Sequence, residues 1–294
     1  MNKRTRTQKQ DTTWVVKEKT EVLKFLIEMM PSQSRKSVKS ILSRGQIFVN
    51  GKGTTQFNDE LVPGDRVEIR SAASNIKLKG IQIFHEDEDI IVVEKEAGVL
   101  SIASEKESKI TAYRLLSDYV QKKNPRNRIF VVHRLDRDTS GVMVFARRRE
   151  VQQKLQNAWK NAVKERTYIA LVEGTVTEGG KITSWLTENK ALIMRSSKNP
   201  NKGKKAVTRY KVLKSNKKFS LLKVNLDTGR KNQIRVHMQD LGHPIVGDKK
   251  YGAQNNPIRR IGLHAHVISF NHPVTGELLR FESKVPEEFT RGFK

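Results

Sequence analysis

The chain has 294 residues, 57 Lys and Arg against 31 Asp and Glu, a net charge of +26, and no cysteine. The absence of cysteine excludes a disulfide scaffold, a thiolate zinc site and a cysteine nucleophile. The charge selects polyanionic partners, nucleic acid first, because it speeds their encounter and binds them by counterion release.

In chain order, residues 1–13 form a polar, basic arm with no periodicity, expected to be disordered. MNKRTRTQKQ has no apolar core behind it, so it does not read as a secretory signal. No apolar run approaches the ~20 residues of a membrane helix. The chain is therefore expected to be cytoplasmic. An anionic membrane surface is the weaker partner, since no long segment joins a basic face to a broad aromatic or leucine face.

Residues 14–72 read as a small module. Val22, Leu26, Met29 and Met30 recur at helical spacing, and Pro31 stops that helix. Ser34 can cap a second helix whose apolar face is Val38, Ile41 and Leu42 and which Gly45 ends. Its other face carries Arg35, Lys36, Lys39 and Arg44. Ile47 and Val49 begin a strand, Asn50-Gly51 makes a hairpin turn, and Asp65 to Arg70 returns with Val67 and Ile69 inward. Two short helices, the second basic, followed by GQIFVNG, resemble the S4 RNA-binding domain. The resemblance implies RNA contacts from Arg35 and Lys39.

Residues 73–80 read as a linker, and 81–294 as one long region. Ile90 to Val93 and Val142 to Ala146 are apolar runs, expected as buried strands. Val151, Leu155, Ala158, Trp159 and Ala162 make a helical stripe. Tyr168, Ala170 and Val172 share one strand face, with Ile169 and Leu171 on the other. Leu222, Val224 and Leu226 alternate likewise, and Ile234, His237, Met238 and Leu241 give a second helical face. Many strands with few helices between them predict an α+β fold with a mixed, largely antiparallel sheet. Residues 190–218 hold eleven Lys or Arg and no acid, and are expected to be a flexible basic loop contacting a polyanion.

The chemistry concentrates in VVHRLDRDTSGVMVFA, residues 131–146. A polar loop between two apolar strands suits function. Asp136 is flanked by Arg134 and Arg137, whose charge is expected to hold it ionised. Such a carboxylate can act as nucleophile or base. Asp138, Thr139 and Ser140 are turn and cap formers, and Gly141 allows the next strand to start close to a neighbour.

HRLDRDTSG is similar to the motif around the aspartate of pseudouridine synthases of the RluA family. Three further segments resemble that family in its order: RTYIALVEG (166–174), LDTGRKNQIRVHMQDLGHPIVGDKKYG (226–252) and GLHAHVISFNHPVTGE (262–277). The resemblance implies uridine isomerisation in RNA with Asp136 as the acting group. It makes Tyr168 the aromatic that stacks on the base and a candidate for moving the C5 proton. Arg235 becomes the partner of the aspartate, Arg134 a filler of the space left by the flipped base, and Leu263 a pocket wall. Arg166 stands where the family usually has lysine. Lys95-Glu96-Ala97-Gly98 replaces a Lys-Pro-Ala-Gly turn, which is expected to loosen it. Lys231-Asn232 replaces Thr-His, so substrate contacts there are expected to differ.

The isomerisation moves one bond from N1–C1′ to C5–C1′ with no net redox change, so no cofactor and no metal are expected. His133, His237, His264 and His266 are not expected to bind one, and His264 and His266 are read as lying on opposite faces or ends of a strand. Ribosomal RNA of the large subunit is the preferred substrate and transfer RNA the rival, with the protein acting as a monomer. A non-catalytic RNA-binding or ribosome-assembly factor is the competing class. A metal-dependent nuclease using Asp136 and Asp138 is weaker, because two-metal sites draw on more carboxylates.

Overall fold

Apolar residues at helical spacing and at alternate strand positions supply the framework. A computed structural model describes residues 12–31, 33–43, 47–69, 77–103, 110–157, 159 and 163–293. The chain divides into two compact units, Met1–Ser74 and Asn75–Lys294.

In the first unit, β1 (Thr12–Val15) and β2 (Thr20–Glu21) precede α1 (Val22–Met29) and α2 (Arg35–Ser43). Then come β3 (Ile47–Val49), β4 (Lys52–Thr54), β5 (Glu60–Leu61) and β6 (Arg66–Ile69). The antiparallel sheet runs β1-β6-β3-β4, with β2 paired to β5. β1 takes Thr12 and Thr13 from the expected arm and pairs them with Ile69 and Glu68. The core joins Val22, Phe25 and Leu26 of α1 to Val38 and Leu42 of α2 and to Ile47 and Val67. Met29, expected on that face, is exposed, because α1 ends there and its last turn leaves the core. Ser34 caps α2 by accepting the Ser37 N–H at 3.2 Å. Asn50 and Gly51 turn the β3–β4 hairpin at φ of 51° and 80°. Residues 1–11, Arg44 and Gly45 lie outside the described residues.

The second unit is built on one large sheet. Its strands are β7 (Lys77–Leu78), β8 (Ile81–Glu86), β9 (Ile90–Lys95), β10 (Phe130–Val131), β11 (Ser140–Ala146) and β12 (Val163–Glu173). They continue with β13 (Gly180–Glu188), β14 (Met194–Ser197), β15 (Lys204–Ser215), β16 (Phe219–Leu226), β17 (Leu263–Asn271) and β18 (Leu278–Glu282). The order is β14-β13-β15-β16-β12-β17-β11-β9-β8-β7, with β10 on β11 and β18 on β17. Lys77 and Leu78, inside the expected linker, pair with Gln82 and Ile81. Residues 70–76 lie outside the described residues.

The apolar runs are strands covered on both faces. Ile91, Val93, Met143 and Phe145 pack under α3 (Ala112–Lys123) through Ala112, Leu116 and Val120. Ile90, Val92, Val142 and Val144 pack under α4 (Arg149–Asn157) through Val151 and Leu155. Ala158 and Ala162 of the expected stripe lie outside the described residues. In the other half, Ala170, Val172, Leu222 and Val224 face α5 (Gln233–Asp240), while Ile169, Leu171 and Leu221 meet Phe289 of α6 (Glu287–Thr290).

Residues 190–218 are not a flexible loop. Most of them form β14 and β15, with Met194, Ala206, Val207 and Thr208 buried. The lysines lie at the two ends of β15 and on its outer positions, while Ala206, Val207 and Thr208 are buried and Tyr210 and Val212 are half-buried between exposed Arg209, Lys211 and Leu213. Among the described residues no helix is long and apolar enough to cross a membrane.

The described strand pairs of this sheet are antiparallel except β11 with β17, where Ser140 and Gly141 run parallel to His264 and Ala265. Gly141 has φ of 114°, and a Cβ there would lie 2.1 Å from the Ala265 carbonyl oxygen. Gly141→Ala is therefore expected to cost about 3 kcal/mol or more, combining overpacking with backbone strain. Thermal denaturation checks this, and an unshifted melting temperature would refute it.

Candidate active site

The loop of residues 132–139 between β10 and β11 is held from below. Leu135 is buried, and its N–H and C=O both bond the Ser101 hydroxyl, at 3.1 and 2.7 Å. The Thr139 N–H returns to the Asp136 carbonyl at 3.2 Å and closes a turn. The Arg137 carbonyl accepts from the Gly98 N–H and from the Lys95 Nζ, each at 3.0 Å. These bonds present the Asp136 carboxylate to a cleft of about 680 Å³.

Ala265 of β17 sits between the two halves of the site. It pairs with Gly141 on one side and with Tyr168 of β12 on the other. The β12–β17 register shifts between Thr167 and Tyr168, and such a bulge re-aims a side chain. The cleft is lined by Arg134, Asp136, Arg166, Tyr168, Arg235 and Leu263 together. Arg35 and Lys39 belong to the first unit, where both are exposed.

Arg235 is buried, with its Nη1 3.8 Å from Asp136 Oδ2. Its main partner is Asp248, fully buried, through Nε–Oδ2 at 2.6 Å and Nη2–Oδ1 at 2.7 Å. Nη1 also donates to Asn232 Oδ1 at 3.2 Å, and the guanidinium lies 4.8 Å from the Tyr251 ring. Asn232, at φ of 52°, is itself held by the Tyr251 hydroxyl at 3.0 Å. Asn readily takes this left-handed conformation. The replaced pair is thus split: Asn232 is buried and orients Arg235, while Lys231 pairs with Glu188.

The electrostatics correct one expectation. Burial raises the Asp136 pKa above the ordinary carboxylate range, although Arg235, Arg134 and Lys95 each pull it down. Desolvation outweighs the cations, and the nearby Asp248 carboxylate adds to it. Burial likewise pushes the Tyr168 hydroxyl up, with Arg166 opposing and Asp136 reinforcing. Tyr168 is therefore a protonated phenol at neutral pH, able to give or relay a proton.

Lys95, unnoticed as a site residue in the sequence, is fully buried behind this loop. It donates to the carbonyls of Glu96, Val99 and Arg137 at 3.0, 2.8 and 3.0 Å. Burial pulls its pKa down to about 7, with Asp138 and Asp136 drawing it back up. The turn after it is not loose. The Glu96 N–H donates to the Gly80 carbonyl at 2.9 Å, a bond that proline could not make.

The histidines are engaged elsewhere. His133 accepts the Val144 N–H at Nε2, and burial lowers its pKa to about 3. Its ring lies 4.9 Å from Trp159, also on the cleft wall. His237 bonds Thr208 and Ser184. His264 and His266 lie on the same side rather than on opposite faces, with ring centroids 6.4 Å apart. Both reach Ser283, His264 through its hydroxyl at 2.9 Å and His266 through its carbonyl at 2.6 Å. Among the described residues, Asp87, Asp89 and His272 bring ligand-type atoms within 4.8 Å. His272 Nδ1 accepts the Val274 and Thr275 N–H groups, which leaves a proton on Nε2. The ring thus turns a donor, not a lone pair, toward Asp87.

Comparison with known proteins identifies the family. A sequence profile for RNA pseudouridylate synthases matches residues 89–240. An uncharacterized RNA pseudouridine synthase of Bacillus subtilis, YhcT, is 34% identical over 96% of this chain and 92% of its own length. Ribosomal large subunit pseudouridine synthase D of Vibrio cholerae is 33% identical over 89% of this chain and 86% of its own. Among solved structures, the human RNA pseudouridylate synthase domain-containing protein 4 shares the fold, with a TM-score of 0.58 at 22% identity. That match covers 71% of this chain and 90% of the human one.

Proposed function

Given that the chain belongs to the RluA-type RNA pseudouridine synthase family and is an isomerase acting on uridine in RNA, we propose that Asp136 is its acting carboxylate and large-subunit ribosomal RNA its target. The observation that carries the reading is the convergence of Asp136, Tyr168 and Arg235 on one cleft. Several relatives of similar length are named as large-subunit ribosomal enzymes, which favours that RNA.

The reaction breaks N1–C1′, turns the uracil and joins C5 to C1′. The C5 proton leaves and N1 gains one, so atoms balance without a cofactor. Asp136 acts at the ribose, by attack on C1′ or by taking a ribose proton. Arg235, clamped by Asp248, holds it in place. Tyr168 offers a ring for the flipped base and a hydroxyl that can relay the C5 proton, giving up its own as it receives one. Leu263 and Arg166 shape the wall, and Arg134 fills the gap left in the stack. Unstacking the uridine costs a few kcal/mol, which phosphate contacts offset.

Those contacts come from two places. The first unit is an S4-like RNA-binding module whose α2 exposes Arg35, Lys36 and Lys39. The β14–β15 connection and the start of β15 expose Lys202, Lys204 and Lys205, and the Lys205 carbonyl bonds Arg230 on the cleft rim. Replacing these three lysines with alanine is expected to weaken RNA binding several-fold and flatten its salt dependence, with kcat retained. A salt titration of Kd checks this, and an unchanged slope would count against the contact.

The acting form of Asp136 is the carboxylate, and burial raises its pKa. Activity is therefore expected to fall on the acid side at a higher pH than an ordinary aspartate would give. Arg134→Ala removes a cation that lowers that pKa, so the acid limb of kcat/KM should move further up. An unmoved limb would separate Arg134 from Asp136.

Pseudouridine mapping of total RNA, in cells lacking the protein and rescued with intact or Asp136→Ala chains, tests the proposal as a whole. Loss at one or a few large-subunit uridines, restored by the intact chain alone, is expected. Equal rescue by Asp136→Ala would overturn the role of Asp136. Loss confined to transfer RNA would overturn the target.

A further inference from the structure

Away from the cleft, at the other end of β11, five arginines border a second hollow of about 500 Å³. Arg126 and Arg128 come from the loop after α3, and Arg147, Arg148 and Arg149 from the β11–α4 junction. Seven residues of strand separate the junction from the catalytic loop, roughly 23 Å at the rise of a β-strand.

The guanidiniums differ in what holds them. Arg147 is anchored by Glu86 at 2.8 Å and the Asp87 carbonyl at 3.0 Å, and Arg148 by Asp89. Arg128 is steadied by two neutral acceptors, the carbonyls of Pro125 and Asn127 at 2.8 and 3.0 Å. Arg126 and Arg149 make no side-chain hydrogen bond or ion pair among the described residues. Arg126, Arg128 and Arg149 are all exposed, so three charges stand without an acid paired to them. Glu88 and Glu150 on the same rim reduce the field without pairing with these three. Phe130 lines the hollow beside them.

We propose that this hollow is a second RNA-docking site, taking backbone phosphates of the substrate at a distance from the modified uridine. It rests on the RNA reading above and adds to it a place where a long substrate is gripped. Arginine suits the task because its planar fork bonds phosphate oxygens in pairs. Guanidiniums spread along a rim match successive phosphates of a strand, and the half-buried Phe130 offers a face for a splayed base. Two anchor points on one sheet select RNA by shape, which a uridine pocket alone cannot do.

The test uses the full chain and the triple variant Arg126→Ala, Arg128→Ala, Arg149→Ala. Binding is measured on a large-subunit ribosomal RNA transcript across roughly 50 to 200 mM salt. Turnover is measured on that transcript and on a short stem-loop bearing the mapped uridine. The variant is expected to bind the transcript at least tenfold more weakly. Its salt slope should flatten by about two or three phosphate contacts. Turnover of the stem-loop should be unchanged, and the matching triple lysine variant should recover most of the slope. Unchanged affinity and slope on the transcript would overturn the proposal. So would an equal loss on stem-loop and transcript, which would make the arginines part of the cleft. If the intact chain forms no pseudouridine in any RNA, the isomerase reading fails, while the salt slope still reports on this site separately.

Discussion

Asp136→Asn is expected to abolish isomerisation, lowering single-turnover rates by about 10⁴-fold or more, while RNA affinity stays within about twofold. The substitution keeps the shape of the side chain and removes only the charge. The turn that carries it should persist, because its backbone is held by the Ser101 hydroxyl, the Gly98 N–H and the Lys95 ammonium rather than by the carboxylate. Binding should persist because it draws on many phosphate contacts. Release of tritium from C5 of labelled uridine measures the first quantity and filter binding the second. Turnover within tenfold of the intact chain would remove Asp136 from the chemistry. A parallel collapse of binding would make it a structural residue instead.

Asp248→Asn is expected to produce the second large effect, on stability and on rate together. Asp248 makes a two-point pair with Arg235, and both are buried. Removing one partner of such a pair leaves an uncompensated charge and costs about 3–5 kcal/mol. At roughly 2–4 °C per kcal/mol for a unit of this size, the melting temperature should fall by about 6–20 °C. Freed of its clamp, Arg235 no longer sits at a fixed distance from Asp136. Measured well below the new melting temperature, kcat should drop by about 10²-fold with little change in KM. A lowered melting temperature with unchanged kcat would confine Asp248 to structure. An unchanged melting temperature would contradict the buried pair itself.

These two residues differ in how far the linear sequence singles them out. Asp136 was legible because a polar, charged loop stands between two apolar strands, and that contrast survives in one dimension. Asp248 was not, although it lies inside a segment read as a motif. A lone acid near glycine and lysines looks like surface, and only the fold buries it against Arg235. Lys95 escaped for the same reason, since a lysine ending an apolar strand normally points to water. It is buried because three carbonyls from the turn and the Asp136 loop converge on its ammonium. The sign of the Asp136 shift was also misread. Flanking arginines counted along the chain suggested a carboxyl pulled toward ionisation, whereas burial, the largest influence on it, raises its pKa.

Composition and periodicity alone determined the polyanion partner, the α+β class, the runs that became β9 and β11 and the loop that carries Asp136. Each depends on net charge or on neighbours within a few residues, so the linear order contains it. The tertiary structure decided what depends on closing long loops. It set Gly141, just after the Asp136 loop, and Tyr168 on either side of Ala265, clamped Arg235 with Asp248, and turned the lysine-rich stretch into strands by giving it partners in β13 and β16. Strand pairing and desolvation act between residues distant in sequence, and their energies exist only once the sheet has formed.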